Sequence, residues 1–233
     1  MGTAVSLDLA DPLPAARAHA LADGVFAWLR EVDARFSTYR DDSEVSRPSP
    51  SPSPDMRHVL DRCAHLWKAT NGYFDVHATG RFDPSGYVKG WSVQVASDRL
   101  VAAGCANHCL NAGGDVRVRG VSAAGEPWRI GVRHPWRADR VCCVVTGTDL
   151  AAATSGVYER GHHVWDPFTG APARGLRSVT VVGPDLGTAD AYATAAVAMG
   201  PSGADWLSTL DGYQSAVVTD DGRFLSSPNL PVG

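Results

Sequence analysis

The apolar residues of this chain keep one period up to Gly104 and a different one beyond it. After an opening strand at residues 3–9, where Val5, Leu7 and Leu9 alternate with polar neighbours, they recur at helical spacing. Leu21, Val25, Trp28, Leu29, Val32 and Phe36 place a helix over about residues 13–36, with Pro14 tolerable in its first turn. Residues 48–54 read PSPSPSP, an exposed loop unable to donate a regular ladder. A second helix follows, with Met56, Val59, Leu60, Cys63, Leu66 and Trp67 on one face and Asn71-Gly72 as a left-handed end. A third covers about 87–103, with Val88, Trp91, Val95, Ala96 and Leu100 inward.

Past Gly104 the period is two. Strands are expected near 107–112, 115–119, 127–133, 140–148, 151–154, 162–166 and 177–182. A small-residue helix at 188–199 (TADAYATAAVAM) and a fifth at about 201–210 come next. The end reads as a hairpin, YQSAVVT and RFLS around Asp-Asp-Gly. Helices at the front and strands in the middle imply an α+β fold with mostly antiparallel sheets and packed helices. Neither an internal repeat nor a domain boundary interrupts residues 1–233, so a single domain is expected.

Composition removes several function classes. A net charge of −4 leaves no basic excess for nucleic acid or an anionic membrane. No apolar run approaches the roughly 18 residues of a membrane span. Asp8, Asp11, Pro12, Pro14 and Arg17 stand where a signal peptide would be apolar, so the expected location is cytoplasmic, or the chain has been trimmed to its first strand. Met-Gly at the start is formally like a myristoylation site but reads better as the beginning of a strand. The five cysteines, Cys63, Cys105, Cys109, Cys142 and Cys143, form no CxxC pair and read as small buried hydrophobes in a reducing compartment.

Five segments carry candidate chemistry. Asp190 and Thr194 stand four apart on the small-residue helix and share a face; their oxygens suit a hard cation such as Mg²⁺, while a charge near the helix start and a packed Thr is the plainer reading. DPSGYVKG at 83–90 is a turn running into a helix whose first N–H groups suit a phosphate, with Lys89 adding a cation. NAGGD at 111–115 puts Gly113 and Gly114 after a strand, which serves a turn or a close ligand approach equally. HHVWDPFTG at 162–170 sets His163 near Asp166, and ATSG at 153–156 adds two hydroxyls. GxSxG, HExxH, GxGxxG and GxxxxGK[ST] are all absent.

Taken in order, these blocks resemble the ApbE family, the FAD:protein FMN transferases. MGTAVSLDL, DARFSTYRDDSEVSR, TNGYFDV, DPSGYVKGW, NAGGDV, ATSG, HHVWDPFTG and TADAYATAAVAMG are collinear with the family's blocks over nearly the whole chain. The resemblance implies one ApbE-like flavin transferase domain that binds FAD and Mg²⁺, transfers FMN to a Thr or Ser hydroxyl of an acceptor flavoprotein and releases AMP. It implies Asp190 and Thr194 as metal ligands, completed by a carbonyl at Ser85 or Gly86. Met1, Ser37, Tyr39, Tyr73, Phe74, Asp75, Lys89, Ser92, Gly113, Gly114, Asp115, Thr154, Ser155 and His163 would line or approach the FAD site. Tyr39, Tyr73 and Phe74 offer flat surfaces for adenine or isoalloxazine. His163 is the expected general base, with His162 as the substitute if the register shifts by one. Lys89 would neutralise diphosphate charge or face the adenosine or flavin.

Two features depart from the family pattern. Only seven residues separate Asp75 from Asp83, where many relatives carry a longer run, and Val76-His77-Ala78 stands in its place. An export signal and lipobox cysteine, present in many relatives, are also missing from the start. A Mg²⁺-dependent FAD pyrophosphatase and a non-catalytic flavin-binding protein are the alternative functions.

Overall fold

A computed structural model describes residues 3–156 and 164–233. The chain opens with β1 (Val5–Leu9), then α1 (Ala15–Phe36), α2 (Pro54–Ala69) and α3 (Ser85–Ala102). Next come β2 (His108–Ala112), β3 (Asp115–Arg119), β4 (Trp128–His134), β5 (Arg137–Gly147) and β6 (Asp149–Gly156). Two short strands, β7 (Trp165–Asp166) and β8 (Ala171–Pro172), precede β9 (Leu176–Gly183), α4 (Leu186–Met199) and α5 (Ser202–Leu207), and β10 (Gln214–Thr219) with β11 (Phe224–Ser226) closes the chain. The α+β expectation holds.

Seven strands form one sheet in the order β1-β2-β3-β6-β9-β10-β11, antiparallel at every pairing. Alternation gives each strand two faces. On β6, Ala151 and Ala153 join the core with the helices, while Leu150 and Ala152 join a second cluster with Val116, Val118, Trp128 and Val145. That second cluster is roofed by the separate β4–β5 ribbon. Helix α4 is buried on nearly all sides, which its run of Ala, Val and Gly permits. Among the described residues, no helix is long and apolar enough to cross a membrane.

Local signals explain most boundaries. Ser53 caps α2, its hydroxyl accepting from Met56 N at 3.1 Å, and Pro54 fills the first turn. The PSPSPSP stretch is therefore loop only up to Pro52; its last two residues begin the helix, where a missing N–H does no harm. Asn71 and Gly72 take φ of 52° and 87° and end α2 as expected. Helix α3 starts at Ser85, two residues earlier than its apolar pattern indicates, because Asp83 Oδ1 accepts from Ser85 N at 3.0 Å and organises the entry. Helix α5 is shorter than expected; of the strand expected at 162–166, residues 162 and 163 lie outside the described residues and Trp165–Asp166 alone of the rest is strand.

All five cysteines are free. Cys63 and Cys105 are buried, and burial pushes both thiols up to about 12. Cys109, Cys142 and Cys143 are only half-buried, a correction to the expectation that all five are core residues. Cys143 packs against the second core cluster, and Cys142 falls at a register shift between β4 and β5.

His108 is fully buried, with Ser97 Oγ 2.7 Å from Nε2 and the Cys105 carbonyl 3.2 Å from Nδ1. Burial lowers its pKa; the Cys105 carbonyl opposes that, Arg119 and Arg117 reinforce it, and Asp11 opposes it weakly. Below about pH 6.5 the unfolded chain takes up a proton that the folded state refuses, so stability is lost as pH falls through that value. Urea unfolding at about pH 7.5 and about pH 5.5 should show the loss, and His108→Gln should remove part of it. An identical pH difference in the variant would assign it to other groups.

Candidate functional site

The site begins where α3 and α4 touch. Both helices carry a glycine at the crossing: the Leu186 backbone leaves no room for a side chain at Gly90, and the Tyr87 ring with the Trp91 backbone crowds one at Gly187. A Cβ on Gly90 would lie 2.4 Å from the Leu186 carbonyl oxygen, and one on Gly187 would lie 3.2 Å from Trp91 N. This close approach lets the Asp190 carboxylate of α4 reach across, its Oδ2 accepting from Gly90 N at 3.1 Å. Asp190 is only 2% exposed. Thr194, one turn on, lies on the same face, with its Oγ1 3.1 Å from Ser155 Oγ of β6.

The first turn of α3 meets this face. A Cβ on Gly86 would stand 3.3 Å from Thr194 Oγ1 and 3.2 Å from the Phe74 ring, so the helix start abuts the hydroxyl directly. Lys89, one turn further, sends its ammonium between two carboxylates. It is ion-paired with Asp115 Oδ2 and lies 3.4 Å from Asp190 Oδ2. Asp115 is fully buried at the start of β3, immediately after the Gly113–Gly114 hairpin. Both glycines have positive φ, 60° and 95°, as a two-residue turn between twisted strands demands. Beyond the last β3–β6 backbone pair, Val116 with Ala152, the Asp115 carboxylate accepts from Thr154 N at 3.3 Å. Thr154 Oγ1 in turn meets Thr180 Oγ1 at 2.8 Å.

Gly86, Lys89, Thr154, Ser155, Asp190 and Thr194 line one cleft together with Tyr73, Phe74, Asp75, Asp83, Ser85 and Gly113. The fold thus gathers most of the expected site residues. Phe74 is buried beneath the wall, its N–H accepted by Thr70 Oγ1 at 2.9 Å, and Tyr73 packs on Phe168 at 4.8 Å between centroids. Others stand apart. Ser92 lies beneath Lys89, donating its hydroxyl to the Lys89 carbonyl at 2.8 Å. Asp115 sits behind the lysine rather than on the surface. Ser37 caps α1, and Tyr39 is 94% exposed; neither lines the cleft. Gly114 faces a neighbouring cavity that also includes Thr3, Asn111 and Arg133. Met1, His162 and His163 lie outside the described residues.

The short segment after Asp75 borders two spaces at once. Phe74, Asp75 and Val76 wall the cleft and also an apolar groove of 690 Å³ formed with Val45, Met56, Leu60, Trp67 and Phe82. Sequence reasoning did not find Gly90 or Gly187. Each resembles an ordinary helix position, and only the neighbouring helix reveals how little room there is for a Cβ. Asp83 was legible as part of an Asp-Pro turn, though its place in the cleft wall was not.

The donor set suits a hard divalent cation. One carboxylate and one hydroxyl stand a turn apart, and the start of α3 abuts the hydroxyl. Among the described residues, no group of three or more His, Cys, Asp or Glu side chains forms a metal cage. Sites of this kind take few protein ligands and leave room for water and phosphate oxygens, as Mg²⁺ prefers.

Fold and cleft together define an antiparallel α+β protein whose site lies between a hairpin, a helix start and an acidic–hydroxyl helix face. The ApbE family profile matches residues 1–80 and 76–217. A FAD:protein FMN transferase of Rhodobacter capsulatus is 34% identical over 161 residues, 64% of this chain and 30% of that protein. One from Vibrio cholerae is 38% identical over 128 residues, 51% of this chain and 38% of the other. The chain therefore spans about a third of the length of these two curated relatives. The solved flavin transferase ApbE from Vibrio cholerae superposes with a TM-score of 0.85 at 26% identity, covering 99% of this chain and 95% of that one. The chain belongs to the ApbE family.

Proposed function

We propose that this chain transfers the FMN portion of FAD to a Thr or Ser hydroxyl of an acceptor protein, with Mg²⁺, and releases AMP. The observation that carries the reading is the convergence of Asp190, Thr194, Lys89 and the start of α3 in one cleft of an ApbE-family chain. The acceptor oxygen forms a bond to the phosphorus on the flavin side. The bond from that phosphorus to the bridging oxygen breaks, and AMP leaves with the bridge. The hydroxyl proton passes to a base, for which His163 is the proposed residue. The block that contains it continues at Val164 and Trp165, both in the cleft wall.

Asp190, Thr194 and a carbonyl at Ser85 or Gly86 would hold the cation, which when bound supplies Lewis acidity and orients the diphosphate. Lys89 and the N–H groups at the start of α3 offset charge on the phosphoryl oxygens. Tyr73 offers an aromatic face at the mouth of the cleft.

The test is incubation of purified protein with FAD and Mg²⁺, with and without a fragment carrying the acceptor segment, following AMP and the fragment's intact mass. An FMN adduct on the fragment supports transfer. AMP without an adduct points to hydrolysis. Bound FAD with neither product overturns the enzyme reading.

A further inference from the structure

We propose that the outer side of the β4–β5 ribbon is where the acceptor protein docks, and that it takes an acidic segment of that protein. The inference rests on the transferase reading above and names the kind of acceptor which that reading requires.

The chain as a whole is acidic, with a net charge of −4. Residues 127–148 run the other way, with Arg129, Arg133, Arg137 and Arg140 against the single carboxylate of Asp139. On β4, Trp128, Ile130 and Val132 pack against the second core cluster, so alternation sends Arg129 and Arg133 to the opposite side. Arg129, Arg137 and Arg140 are exposed, and among the described residues none of the three forms an ion pair. Two apolar side chains stand among them: Trp136 is 46% exposed and Val141 53%. The Arg177 guanidinium of β9 lies 5.5 Å from the Trp136 ring centroid, a cation–π contact that ties the ribbon turn to the sheet. Tryptophan beside arginine is the composition of a protein interface, where lysine and glutamate are depleted.

The strip meets the cleft at two places. Gly131 and Arg133 border the cavity that shares Gly113 and Thr154 with the cleft. At the ribbon turn, Arg177 precedes Ser178, which pairs with Gly156 in the cleft wall. An acceptor whose hydroxyl enters the cleft therefore passes the ribbon. Cationic segments are repelled there, and acidic ones are attracted and steered. That position beside the cleft favours a protein over a nucleic acid as the anionic partner.

The test measures binding by fluorescence anisotropy. The probes are labelled synthetic peptides of equal length, with a central Thr flanked by Glu, by Gln or by Lys, and a labelled oligothymidine. The Glu peptide should bind tightest, and its affinity should fall as salt rises. Arg137→Glu with Arg140→Glu should raise its dissociation constant at least about tenfold, and Trp136→Ala should raise it about fivefold or more. Arg30→Glu with Arg47→Glu makes the same change of charge at exposed positions among the helices, and it should leave the constant within about twofold. Melting curves for each variant report folding. No binding of the Glu peptide by wild type, tighter binding of another probe, or an equal loss in the Arg30 and Arg47 pair overturns the inference. The same peptides with FAD and Mg²⁺ keep the two readings apart. The expected binding pattern without AMP release or an FMN adduct supports the docking surface and overturns the transferase reading alone.

Discussion

Asp190→Ala should abolish Mg²⁺-dependent release of AMP from FAD. A cation that polarises phosphoryl oxygens contributes several kcal/mol, and about 4 kcal/mol corresponds to roughly a thousandfold in rate. Two variants separate the structural and the chemical tasks of this side chain. It accepts from Gly90 N at the helix crossing and would supply the anionic oxygen for the cation. Asp190→Asn keeps the shape and an acceptor oxygen but removes the charge. It should melt near the wild-type temperature and still lose activity. Asp190→Ala should lose activity and also melt lower, since it strips a buried acceptor from its donor. AMP release above about a tenth of the wild-type rate in both variants would remove Asp190 from the chemistry.

Gly90→Ala carries the second large effect, and its sign runs against helix propensity. Alanine in a helix interior is worth about 1 kcal/mol over glycine. At Gly90 the added Cβ would meet the Leu186 carbonyl oxygen at 2.4 Å and Asp190 Cβ at 3.0 Å. Backbone cannot swing aside as a flexible side chain would, so the overpacking cost is about 3 kcal/mol and it wins. A net loss of about 2 kcal/mol lowers the melting temperature by about 4–8 °C for a chain of this size. Activity should fall further than stability alone explains, because α3 and α4 carry Lys89 and Asp190. Gly24→Ala in α1 is the matched control. Nothing lies within 4 Å of its new Cβ, so it should stabilise by about 0.5–1 kcal/mol. Equal shifts for the two substitutions would refute the close-crossing account.

Much of the fold was legible because its signals are local. Alternation on β2 and β3, the Asn71-Gly72 end of α2 and the helical face of α1 all report on residues near in sequence. The deviations are local as well. Pro54 opens a helix that the Pro-Ser repeat obscured, and Asp83 starts α3 ahead of its first apolar residue. The site was legible in part. Asp190 and Thr194 share a face by helix geometry alone, and Gly113-Gly114 announces a turn after a strand. Ser37 and Tyr39, by contrast, sit in a recognisable block yet outside the cleft, since a block's position along the chain says nothing about where its loop lies in space.

The sequence by itself determined the kinds of element, their order, and which side chains leave a helix or strand on the same face. Those follow from the periods of the backbone. Which distant groups meet came from the tertiary structure: Asp115 of β3 and Asp190 of α4 share the ammonium of Lys89, and Gly90 has to be glycine for α3 and α4 to meet. Both are contacts between segments distant in the chain, where sheet order and backbone clearance, not local propensity, set what touches what.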